Sequence, residues 1–170
     1  MASLADERMT LRQAVAEAEV AVSQETLSAI VDGTVPRGEV LSVAELAGVM
    51  AAKRTADLIP LVHATPLTDL LVVATPDRAA GAVRIKAETA ATAAAGVEME
   101  ALTAAAVAAL TLYDMIRDVD PGAEVRSVRL LSSSGGDASE WTRPAGGPHG
   151  ERPRAARMAG RTGNPGRKSR

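Results

Sequence analysis

Cysteine and phenylalanine are both absent from the 170 residues, and the chain has only one Trp, one Tyr and two His. Without cysteine there is no disulfide, no thiolate metal site and no redox pair. With His63 and His149 alone, one chain cannot assemble a poly-His metal centre. With so few aromatics, the core must be made of Leu, Val, Ile, Met and Ala, and much of it must be small. A core of that kind points to further burial between subunits. No unbroken apolar run reaches the roughly 20 residues of a membrane span. The opening MASLADERMT is too polar for a secretory signal. The expectation is therefore a cytoplasmic protein with no membrane partner.

Charge is unevenly spread. Residues 151–170 hold seven Lys/Arg against one Glu, a net of +6, while the remainder holds twelve against twenty acids, a net of −8. A nucleic-acid binder would carry its basic residues on the folded face, so none is expected here. From 138 the chain turns to Pro, Gly, Arg and Ser without period. The expected division is a folded domain over 1–137 and a disordered basic tail over 138–170.

The longest patterned stretch is GVEMEALTAAAVAALTLYDMIR, 96–117. Val97, Leu102, Val107, Leu110 and Ile116 make a broken apolar stripe with alanines between them. The length and the Ala/Leu content predict a helix, and its alanines predict a central one, because they let neighbouring backbones come close. Residues 11–22 alternate Ala14, Ala16, Ala18, Val20 and Val22 with Gln13, Glu17 and Glu19. This spacing predicts a half-buried strand, with helix as the alternative that the alanines leave open. Ser23 caps a short helix over 24–31. TVPRGE, 34–39, is a loop displaying Arg37. A helix over 40–55 repeats Val43, Leu46, Ala47 and Met50, with Gly48 allowing a close crossing. Strands follow at 67–75 and 81–89, the second with Arg84, Lys86 and Glu88 on a wet face, and a last strand at 125–131. A Gly-rich turn at 132–137 closes the series. The order suggests an α+β fold, an antiparallel sheet with helices packed on one face.

Several polar residues carry two readings. Glu98 and Glu100 in the first turn of the long helix suit its dipole. Asp114 and Arg117, three apart, suit a surface ion pair. Lys53 and Arg54 end a helix beside His63 in a Pro-fixed loop, where they could answer the dipole or grip a phosphate.

Residue identity adds to these spacings. Glu-Met-Glu-Ala-Leu-Thr at 98–103, followed by Leu-Thr-Leu-Tyr-Asp-Met at 110–115, resembles the signature of the MoaC family. AAKRT-x-DLIPL-x-H, 51–63, resembles a second signature of that family. The resemblance runs from about Thr10 to Gly136. It implies a ferredoxin-like fold, dimers assembling to a hexamer, and a site at each dimer interface. It also implies a lyase of molybdenum cofactor biosynthesis that turns a cyclised dihydroguanosine triphosphate into cyclic pyranopterin monophosphate and pyrophosphate, with no cofactor and no metal. On that resemblance Asp114 is the acid/base residue, and Arg37 and Arg117 stand where the family has catalytic lysines. Leu61, Val62, His63, Glu98, Met99, Glu100, Lys53 and Arg54 would bind substrate. The chain departs from the family at several places. Arg37-Gly38-Glu39 replaces Lys-Gly-Asp, and Val62-His63-Ala64 replaces Cys-His-Pro. Thr92 alone remains of a Thr-Gly-Lys-Thr run. Ser133 and Asp137 replace the lysines around Gly135-Gly136. Arg keeps its charge permanently, whereas Lys can exchange a proton. The alternative reading is a catalytically impaired paralogue that binds or regulates.

Overall fold

The computed structural model describes residues 9–136 and 140–144. The alternating segment is a strand, β1 (Thr10–Ala21). Its helix alternative fails because every residue of β1 is matched in register with β3, from Thr10 opposite Ala93 to Ala21 opposite Ala82. α1 (Gln24–Val31) starts where Ser23 accepts a hydrogen bond from the Thr26 backbone N–H at 3.1 Å. α2 (Val40–Ala52) stops short of Thr55, and a separate turn, α3 (Thr55–Leu58), follows. The sheet continues with β2 (Asp69–Asp77), β3 (Ala82–Ala93), β4 (Glu124–Ser134) and β5 (Trp141–Thr142), and α4 (Glu98–Ile116) lies between β3 and β4.

The strands run antiparallel in the order β2-β3-β1-β4-β5. α2 and α4 pack on one side, the ferredoxin-like arrangement that was expected. β1 buries Ala14, Ala16, Ala18 and Val20, and α4 answers with Ala101, Ala104, Ala105, Ala108 and Ala109, all fully buried. Alanine against alanine brings helix and sheet close together. Leu27, Ile85, Leu112 and Ile116 supply the bulk. At Gly48 a Cβ would stand 2.9 Å from the Ala104 carbonyl oxygen and 3.2 Å from the Ala108 Cβ, so α2 crosses α4 where only glycine fits.

The close crossing corrects the expected helix faces. On α2 the buried residues are Val40, Ala44, Gly48, Ala51 and Ala52, while Val43, Leu46 and Met50 point outward. On α4 the alanines Ala101, Ala104, Ala105, Ala108 and Ala109 are the buried side, between the sheet and α2, and Leu110 is exposed. α4 is also 19 residues long with a mean hydropathy of 1.4, enough to cross a bilayer by length and composition. A count of unbroken apolar runs does not register this, because Glu100 and Asp114 interrupt it. Half of that span is buried inside the protein, as a core helix requires.

Three strands differ from the sequence expectation. β3 runs on to Ala93, and β4 runs on through the serines Ser132–Ser134. Neither extension carries an apolar alternation; pairing with residues 10–15 of β1 holds both. β5 falls inside the stretch assigned to the tail. Trp141, 9% exposed, enters the core, and the Arg143 backbone N–H donates to the Leu131 carbonyl at 2.7 Å. Of the expected tail, residues 138–139 and 145–170 lie outside the described residues.

The other sheet face is wet, as Arg84, Lys86 and Glu88 predicted. Glu17 accepts from Arg129 at 2.6 Å. Arg84 reaches Asp77 at 2.9 Å and Glu19 at 3.8 Å. The Ala80 backbone N–H, and next Arg84, hold the Asp77 carboxyl below the usual range.

Candidate functional site

The helix dipole leaves negative partial charge at a helix C-terminus, so a carboxylate there needs cations. Asp114 occupies the last turn of α4 and has two. Arg117, the C-cap residue, donates from Nε to Asp114 Oδ1 at 3.0 Å, the ion pair that the three-residue spacing predicted. Arg37 reaches across from the loop before α2 and stands 3.5 Å from Asp114 Oδ2. Its other arm lies 2.7 Å from Asp118 Oδ2. The four charges alternate in sign: Asp118, Arg37, Asp114, Arg117. All are 43–62% exposed, so each pair alone is worth little, typically under about 1 kcal/mol.

The Arg37 loop is pinned locally. Val35 is buried, the Gly38 N–H donates to the Val35 carbonyl at 2.9 Å, and Gly38 adopts φ +81°, a left-handed angle suited to glycine. Asp118 was missed in the sequence. Its only signal is its position four residues after Asp114.

Glu98, Met99 and Glu100 stand at the other end of α4, in its first turn. α2 runs antiparallel to α4, with Arg37 near Asp114 and Gly48 against Ala104, so Lys53 and Arg54 arrive near the start of α4. Both are exposed, as is His63. Leu61 is 92% exposed and holds φ +69°, an unusual angle for a leucine, and Val62 is half-buried. Glu98 folds its carboxylate back over Gly96, where a Cβ would collide with it. Met99 is at the surface. Glu100 is only 3% exposed, and its Oε2 has no hydrogen-bond partner among the described residues. Burial pushes its carboxyl up from the ordinary value, and the neighbouring Glu98 charge adds to this.

A second residue missed in the sequence, Arg12, staples the same end. It donates to the carbonyls of Ala93 (3.3 Å), Ala94 (2.5 Å) and Gly135 (3.0 Å). The Gly-rich turn is thereby tied to the loop before α4. A Cβ on Gly135 would fall on the Leu11 carbonyl, and one on Gly136 would fall on the Arg12 guanidinium. A cavity of about 310 Å³ opens beside this turn, lined by Gln13, Asp69, Glu88, Ser132, Ser134 and Trp141 among others.

One chain thus brings Arg37, Asp114 and Arg117 together and leaves Glu98, Met99, Glu100, Lys53, Arg54 and the Leu61–His63 loop elsewhere. Glu100 and Asp114 are 14 residues apart on one helix, about 21 Å at 1.5 Å per residue.

The MoaC family model matches residues 1–136. Similar proteins are named cyclic pyranopterin monophosphate synthase. The one from Chloroflexus aurantiacus is 47% identical over 144 residues, 85% of this chain and 88% of that protein. The one from Nostoc sp. is 47% identical over 145 residues, 85% and 86% of the two chains. The one from Brucella ovis is 48% identical over 132 residues, 78% and 80%.

Proposed function

The chain belongs to the MoaC family, and we propose that it is a cyclic pyranopterin monophosphate synthase of molybdenum cofactor biosynthesis whose site is built by two subunits. The observation that carries the activity is 47% identity to proteins of that name across 85% of the chain. The substrate is a small nucleotide-derived molecule, a cyclised dihydroguanosine triphosphate, and pyrophosphate leaves.

The chemistry needs proton donors and acceptors beside cations that hold phosphate charge. Asp114 is the acid/base group. Arg37 and Arg117 flank it and stabilise negative charge, without exchanging protons themselves. Glu98 and Glu100 take the N–H groups of the purine-derived base. The buried, unpartnered Oε2 of Glu100 favours that role, since a lone buried acceptor gains most from a ligand donor. Lys53 and Arg54 meet phosphate oxygens, and His63 with Leu61, Val62 and Met99 lines the pocket.

A small substrate cannot touch Glu100 and Asp114 of one chain across about 21 Å of helix. This supports a site in which one subunit supplies the Asp114 end and another the Glu100 end; the assembly proposed with it is a homo-oligomer of dimers forming a hexamer, in the cytoplasm. The outward stripe of Val43, Leu46 and Met50, with Leu110, supplies apolar surface for such contacts. No observation favours the impaired paralogue. Purified protein given the cyclised triphosphate should release pyrophosphate, and Asp114→Asn should lower the rate by about 10²–10⁴-fold. A silent wild type would refute the activity.

A further inference from the structure

The tighter partner of Arg37 is not the proposed acid/base residue. Its contact with Asp118 is 2.7 Å and its contact with Asp114 is 3.5 Å. Asp118 sits on a fixed piece of backbone. The N–H groups of Val119 and Asp120 both donate to the Ile116 carbonyl, at 2.9 and 2.8 Å. Asp120, itself buried, accepts from the Ser23 N–H at 2.7 Å. The Arg37 loop is pinned by Val35 and the Gly38 turn. Two fixed backbones facing one another do not resemble a pair of free surface side chains.

We propose that Asp118 is a positioning residue, which anchors one arm of the Arg37 guanidinium so that the other arm stands beside Oδ2 of Asp114. The inference rests on the reading of Arg37 and Asp114 as site residues. It is specific to arginine, whose planar fork offers two arms to two carboxylates, whereas a lysine ammonium is a single point. The 3.5 Å arm holds Asp114 loosely, so its carboxylate can exchange that contact for substrate while Arg37 stays in place. With Asp118 neutral, Arg37 would swing onto Asp114 or into solvent.

The test is a double-mutant cycle in the full chain with turnover of the cyclised triphosphate as readout. Asp118→Asn keeps the shape and removes the charge. It should lower kcat/KM by about 2- to 5-fold, chiefly through kcat, as losing one exposed ion pair implies. Asp118→Glu should restore part of the loss. In the Arg37→Lys background the same Asp118→Asn change should no longer lower kcat/KM, because Asp118 then only competes with Asp114 for one ammonium. An equal fall in both backgrounds would overturn the proposal. A second readout is independent of activity. Nitrogen NMR of Arg37 should show slow rotation about Nε–Cζ in the native chain and fast rotation after Asp118→Asn; unchanged rotation would also overturn it. A native chain without turnover refutes the proposed function, and the NMR comparison then decides the Asp118 contact by itself.

Discussion

Replacing Glu100 with glutamine removes a buried charge that has no cation beside it among the described residues and only a backbone N–H to answer it. The side chain is 3% exposed and Oε2 lacks a partner among the described residues. An unsatisfied buried polar group costs about 1–3 kcal/mol, and more when charged. Glutamine has nearly the same shape and loses the charge, so Glu100→Gln should stabilise the protein by roughly 1–3 kcal/mol near pH 8. A chain of this size shifts about 2–4 °C in Tm per kcal/mol, which predicts a rise of roughly 2–12 °C by calorimetry at fixed protein concentration. The pH dependence follows from the direction of the shift. The native carboxyl titrates above the unfolded value of about 4.3. Wild-type stability therefore falls as pH rises through that value and levels off above the native pKa. The gap between variant and wild type should be widest at alkaline pH and close below about pH 4. If glutamine lowers Tm at pH 8, or leaves it unchanged, the carboxylate already has a donor or cation in the assembled protein and the reasoning is refuted. Turnover should fall in the same variant, since the acceptor for the base is weakened, a trade of activity for stability.

Four further outcomes are expected. Gly48→Ala should lower stability by about 1–3 kcal/mol despite the better helix propensity of alanine, because the new Cβ meets a backbone carbonyl that cannot step aside; urea unfolding measures it. Trp141→Ala should cost about 3 kcal/mol, and native emission from Trp141, the sole tryptophan, should be blue-shifted and move red on unfolding. Arg12→Ala should speed amide exchange at the Gly135 turn and before α4 together, since one guanidinium ties both. Asp77→Asn should lose stability at neutral pH, with the difference vanishing as acid protonates the wild-type carboxylate below its depressed native pKa.

The sequence allowed the elements to be read more easily than their faces. β1 was legible because alternation survives even when the apolar residue is alanine. α4 was legible because Ala and Leu over nineteen residues suit little else. The inner face of α2 was not. Its large residues, Val43, Leu46 and Met50, look like a core stripe, but the core side is Ala44, Gly48 and Ala51. Bulk marks the core only when the neighbour leaves room, and α4 leaves none. Ser132–Ser134 and β5 were missed because register with β1 and β4, a long-range property, creates them. At the candidate site, Asp114 and Arg117 were readable from local spacing. Arg37 comes from 77 residues away and Asp118 has a plain surface signature, so their union is a product of the fold. The separation of Glu100 from Asp114 was implicit in the helix itself, since 14 residues of α-helix fix a length.

Mixing two impaired variants tests the two-subunit site most directly. Asp114→Asn and Glu100→Gln spoil opposite ends of α4. If each site takes one end from each subunit of a twofold dimer, co-refolded chains in equal amounts should recover about 25% of wild-type pyrophosphate release, since half the dimers are mixed and each holds one intact site of two. Recovery near that level supports the account. If the mixture stays at the sum of its parts while each variant folds and assembles and the native chain turns over, both ends do not come from different subunits, and the proposed site is wrong.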